Sequence, residues 1–150
     1  CQGWIPLYYS PERPDIFDLS DFTIPPNFEI AVNVTVNICE NIEEGLLPQK
    51  AIIAFYIGGM GAQERNFHTE LMGRMGYEEE AKNIQDLFLN GKRNEAIMAV
   101  PNAFADEISL VGPKERIAER LGLWRDSPVT TLIVGANNTN TLRTMAELAL

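Results

Sequence analysis

The chain has 150 residues, 45% of them hydrophobic, enough for one domain with a real core and unlike a disordered or low-complexity segment. A net charge of −9 and a pI near 4.6 argue against nucleic acid or an anionic membrane surface as partner, and no apolar run is long enough to cross a bilayer. Cys1 and Cys39 form no ligand spacing and His68 stands alone, which points to reduced thiols in a cytosolic protein without a metal site.

In chain order, Gly3–Tyr9 (GWIPLYY) is a short aromatic strand candidate, and the chain opens inside it on Cys1, as one cut from a longer chain would. Pro11, Pro14, Pro25 and Pro26 then forbid a long regular element, so Ser10–Pro26 reads as a surface excursion. Phe28–Cys39 (FEIAVNVTVNIC) is the strongest strand. Ile30, Val32, Val34, Val36 and Ile38 share one face; Ala31, Asn33, Thr35 and Asn37 share the other. Such alternation suits a strand with one wet face or a barrel strand whose polar side points inward.

Asn41 is a candidate N-cap for a helix running towards Ile57, with Gly45 and Pro48 suggesting a break. The apolar run ends in Gly58-Gly59-Met60-Gly61, and Phe67, Leu71 and Met75 then recur at four-residue spacing on one helical face. The glycines serve either a corner between packed helices or a backbone surface that a flat ligand approaches closely. Glu78–Asn90 carries the stripe Ala81, Ile84, Leu87 and Phe88, with Gly91 as its stop. A short helix covers Lys92–Val100, and Pro101 opens another that reaches about Leu110. Pro113–Arg125 is amphipathic through Ile117, Leu121 and Trp124. Val129–Val134 reads as a buried strand, and a last helix capped by Thr139 carries Leu142, Met145 and Leu148.

This order is α/β with a parallel sheet. The helix over 113–125 feeds the strand after it, so its start must lie level with the end of the strand over 28–39. Residues 40–110 then form a helical insertion within a single domain, on the side where the strands' carboxyl ends lie and ligands bind. Gly59-Met60-Gly61-Ala62-Gln63-Glu64 is no dinucleotide fingerprint, because Glu64 stands where the third glycine belongs. Gly112-Pro113-Lys114 opens a helix whose free N–H groups could hold an anion.

The run AFYIGGMGAQERNFHTELMGRMGYEEEAKNIQDLFLNGKRNEAIMAVP, followed by ISLVGPKERIAERL and VTTLIVGA, resembles the C-terminal part of bacterial luciferase-like flavin and deazaflavin oxidoreductases, most of all the coenzyme F420-dependent branch. GWIPLYYSPER is similar to a late barrel strand of that family, with Cys1-Gln2-Gly3 replacing its usual approach. The resemblance implies a partial TIM (β/α)8 barrel, strands six to eight, with the helical insertion before the last strand. It implies hydride exchange between F420 and an organic substrate, with FMN as the alternative cofactor in a monooxygenase of the same fold. A homo-oligomer is expected, and the isolated piece is expected to be inactive. A non-catalytic helical interaction segment is the alternative from another class.

Convergence on one face gives the candidate pocket. Tyr9, Asn37, Gly112 and Lys114 are expected near it, with Asn137 after the last strand, and Tyr56, Gly58, Gly59 and Met60 are expected to form part of a wall. Catalytic residues are not identifiable in this stretch.

Overall fold

A computed structural model describes residues 2–149 except 18, 19, 22 and 62–65. Its elements are β1 (Gly3–Trp4), a 3-10 turn (Pro14–Phe17), β2 (Glu29–Ile38), α1 (Ile42–Gly59), α2 (Phe67–Met72), a π-helical turn (Gly73–Tyr77), α3 (Glu78–Leu89), α4 (Arg93–Ala99), α5 (Asn102–Glu107), β3 (Ser109–Gly112), α6 (Lys114–Arg125), β4 (Thr131–Ala136) and α7 (Thr139–Ala149). Two compact units contain them: Cys1–Gly45 with Ile108–Leu150, and Leu46–Glu107. Helix α1 starts in the first unit and continues in the second. Among the described residues no helix is long and apolar enough to cross a membrane.

In the first unit every strand pair is parallel, and β2 is the hub. β4 lies along one edge of β2, from Ala31↔Thr131 to Val36↔Ala136. β1 and β3 share the other edge, β1 at the start of β2 (Gly3↔Glu29) and β3 at its end (Ile38↔Gly112). The period-two pattern supplies the core: Ile30, Val32, Val34 and Val36 are buried with Leu110, Ile117, Leu121, Trp124 and Met145. Thus α6 and α7 cover the valine face, while Ala31, Asn33 and Thr35 lie on the other.

Several expectations are corrected. The first strand ends at Trp4 rather than Tyr9, because Pro6 has no N–H to donate and Tyr8 adopts φ 49°. The helix expected to reach Leu110 stops at Glu107, and Ser109–Gly112 adds a fourth, fully buried strand. Four residues are too few for alternation to show in sequence. The last strand runs two residues later than expected, Thr131–Ala136. The suggested break in α1 is absent: Pro48 lies inside an unbroken helix, where its missing N–H falls opposite the exposed Glu44.

Among the described residues of the second unit, every regular element is a helix. Asn66, itself buried, ties two helices together: Nδ2 donates to the Ile57 carbonyl (2.6 Å) and the Tyr56 carbonyl (3.2 Å), while Oδ1 accepts from His68 N (2.9 Å) and Thr69 N (3.4 Å). One side chain therefore satisfies orphan groups at the end of α1 and the start of α2. The four-residue stripe holds only in part. Leu71 and Met75 are buried, but Phe67, the first residue of α2, is 61% exposed. The π turn after Met72, with Gly76 at φ 91°, shifts the phase of the following helix.

Candidate functional site

Parallel strands bring their carboxyl ends to one rim. Here that rim carries Asn37 and Ile38 from β2, Val111 and Gly112 from β3, and Ala136 from β4, with Asn137 just after it. Cys39 N donates to the Gly112 carbonyl, 3.1 Å, extending the ladder past Ile38. Gly112 has φ 128°, a conformation open to glycine, and it turns the chain into α6. Pro113 precedes that helix without a side-chain cap, and the Arg116 guanidinium donates to the Val111 carbonyl.

Lys114 stands at the start of α6, as expected, but its ammonium pairs with Glu147 of α7 at 2.9 Å, both side chains about half exposed. The hydrogen bond from Lys114, and then its charge, hold the Glu147 carboxyl below its usual range. Asn137 is exposed at the end of β4, and its neighbour Asn138 caps α7 through Oδ1, accepting from Thr141 N at 2.8 Å. That cap was expected one residue later, at Thr139.

Asn37, Gly112 and Lys114 therefore meet at one rim, with Asn137 at the end of the β4 strand beyond β2. Tyr9 does not join them. It is buried against Trp124 (ring centroids 5.9 Å) and Phe17 (5.0 Å), and its hydroxyl bonds the Ser127 side chain. Burial pushes its pKa up, with the Ser127 bond opposing. Trp124 lies ten residues along α6 from Lys114, so this contact sits about 15 Å from the helix start, towards the strands' amino ends. The early end of β1 at Trp4, two residues before Pro6, is the cause, since a strand continued to residue 9 would have carried Tyr9 upward.

Tyr56, Gly58, Gly59 and Met60 belong to the second unit. Gly58 and Gly59 are the last residues of α1, and Met60 follows, exposed. A Cβ built on Gly58 would overlap Cβ and Cγ of Phe88, and one on Gly59 would lie 3.0 Å from Phe88 Cε1. The close approach these glycines permit is thus to α3. Tyr56 packs on His68 (centroids 4.8 Å), and burial lowers the His68 pKa. Sequence reasoning passed over Asn66, although an Asn just before an apolar-periodic helix is an N-cap signal.

Would these residues fit a planar, anionic-tailed cofactor? The face of β2 and β4 turned away from α6 and α7 presents Ala31, Asn33 and Thr35 with their register partners Thr131, Ile133 and Gly135; Ile133, exposed, is the large apolar residue among them. A Cβ on Gly135 would meet nothing nearer than the Val34 carbonyl at 3.6 Å, so a flat ring has room there. The uncapped α6 start supplies N–H groups at the rim. The fit is adequate for a ring on the sheet face and an anion at the rim.

This is a parallel α/β sheet whose strands bring their carboxyl ends to one rim. Residues 21–131 match the sequence model of the luciferase-like monooxygenases, and the chain belongs to that family. A curated relative, a putative coenzyme F420-dependent oxidoreductase of Mycobacterium tuberculosis, is 30% identical over 157 aligned positions. The match covers 99% of this chain and 45% of the relative, so the chain spans about half the relative's length. Among solved structures, the coenzyme F420-dependent tetrahydromethanopterin reductase of Methanopyrus kandleri superposes with a TM-score of 0.58 at 17% identity, over 82% of this chain and 34% of that one. That likeness concerns the fold.

Proposed function

We propose that the natural protein carrying this chain is an oxidoreductase that exchanges hydride between deazaflavin coenzyme F420 and a small organic substrate. The observation that carries this reading is the 30% identity to an F420-dependent oxidoreductase along 99% of the chain. In this reading β1, β2 and β4 are strands six to eight of a TIM-type barrel. The face bearing Asn33 and Thr35 is the barrel's interior, and residues 46–107 are the helical insertion. Homo-oligomeric assembly and a cytoplasmic site of action belong to the same proposal.

Bound deazaflavin supplies a hydride to the substrate or accepts one from it. The chain's own residues position and shield. Small side chains at Ala31, Thr35 and Gly135 let a ring lie against the sheet, and Asn33 offers an amide on that face. The α6 start and Lys114 receive an anionic group at the rim. The Glu147 partner limits what Lys114 adds, and the contact is screened by salt.

A second reading, an FMN-dependent monooxygenase, is favoured by the description of the matched family itself. Titration of the natural protein with deazaflavin and with FMN, followed by absorbance and fluorescence, separates the two. Saturable binding of deazaflavin but not FMN supports the first, and the reverse result the second. Binding of neither would leave the non-catalytic interaction segment in its place.

A further inference from the structure

Asn37 is expected near the pocket, and its amide nitrogen makes a bond to the backbone of α1. Nδ2 donates to the carbonyl of Gly45, 2.9 Å away in the first turns of α1. Asn37 alternates with the core residue Val36, so it and its register partner Val111 lie on the face away from α6 and α7. Gly45 packs against that face so closely that only a hydrogen fits. A Cβ there would overlap Cys39 Sγ and lie 2.8 Å from Val111 Cγ1. Earlier in the same turn, Ile42 approaches Gly112, with Cγ1 3.4 Å from where a Gly112 Cβ would be.

The helix itself needs this support. Pro48 has no N–H, so the Glu44 carbonyl lacks its donor within α1, and the first turns are held by one backbone bond fewer. At the amino end Asn41 Oδ1 accepts from Glu44 N at a long 3.3 Å. Gly45 N donates to the Asn41 carbonyl at 2.9 Å within that turn, and the Asn37–Gly45 bond joins the turn to β2, in a partly buried place where an unmade bond is costly.

We infer that Asn37 is a positioning residue: with Gly45 it latches the first turn of α1 onto the ends of β2 and β3, and so fixes the wall of the rim where a ligand enters. This deepens the proposed function and rests on it. Asn37 acts through the helix, without touching the ligand. Gly45 is the second half of the latch, because any side chain there lifts the turn away from Cys39 and Val111.

The test uses the natural protein with Asn37→Ala, Gly45→Ala and the double variant. Amide hydrogen exchange over residues 45–49 and 29–36 is measured beside the dissociation constant for deazaflavin. Loss of one hydrogen bond predicts that Asn37→Ala speeds exchange at 45–49 about fivefold to tenfold, with 29–36 unchanged. Affinity for deazaflavin should fall several-fold, and adding Asn37→Ala to Gly45→Ala should cost little more, as expected for two parts of one contact. Asn37→Ala keeps the assay decisive if Gly45→Ala does not fold. Weakened affinity with unchanged exchange would overturn the latch and make Asn37 a direct ligand contact. Faster exchange with unchanged affinity would overturn its role at the site. If the unaltered protein binds neither deazaflavin nor FMN, the functional reading fails, while the exchange result still decides the latch.

Discussion

Gly58 has space for a hydrogen and nothing more, because Cβ and Cγ of Phe88 occupy the place of a side chain. Gly58→Ala should destabilise by about 1–3 kcal/mol through overpacking. Gly59→Ala should cost less, since its nearest neighbour is the far end of the Phe88 ring at 3.0 Å. Urea denaturation of both variants, alone and with Phe88→Ala, checks this: the Gly58 penalty should shrink once the ring is gone. His68 gives a second expectation at this scale. Burial holds its folded-state pKa below the ordinary 6.5. The unfolded chain then binds the proton more readily, so the His68 contribution is intact above pH 6.5 and is lost as pH falls through the folded pKa. His68→Gln should flatten the fall in melting temperature below that pH. A wild-type-like fall in the variant would assign the acid sensitivity to other groups.

Elements were legible in sequence wherever one periodicity ran long enough. The ten residues of β2 alternate without a break, and α6 shows Ile117, Leu121 and Trp124 at helical spacing, all buried as expected. Where the pattern was short or changed phase, it misled. β3 has four buried residues and no alternation. The π turn at Gly73–Tyr77 breaks the phase that linked Phe67 to Met75. At the rim, the meeting of Asn37 with the Gly112–Lys114 start followed from chain direction alone, whereas the Asn37–Gly45 bond is a tertiary contact with no local signature. The contrast predicts unequal costs. Leu121→Ala, which opens a cavity under β2, should lose about 2–5 kcal/mol, and Phe67→Ala, at an exposed helix start, no more than about 0.5 kcal/mol. Chemical denaturation measures both, and a Phe67 loss equal to that of Leu121 would place Phe67 in a core.

At the scale of the whole molecule, the chain leaves the first unit once, after Gly45, and returns once, at Ile108. The apolar cluster of the first unit draws on β2, β3, α6 and α7. In the second, Ile84 of α3 and Met75 of the π turn are fully buried among helices. Two cores joined by two crossings of the backbone favour separate local openings, because damage to one core need not expose the other. Native-state hydrogen exchange of the natural protein under rising denaturant should therefore resolve two groups of amides, Glu29–Ile38 in one and Glu78–Leu89 in the other. Leu121→Ala should lower protection of the first group by the full loss of stability and leave the second nearly unchanged. Ile84→Ala should do the reverse. Equal loss in both groups from either substitution would show that the two cores open as one cooperative body, with the backbone crossings transmitting the damage.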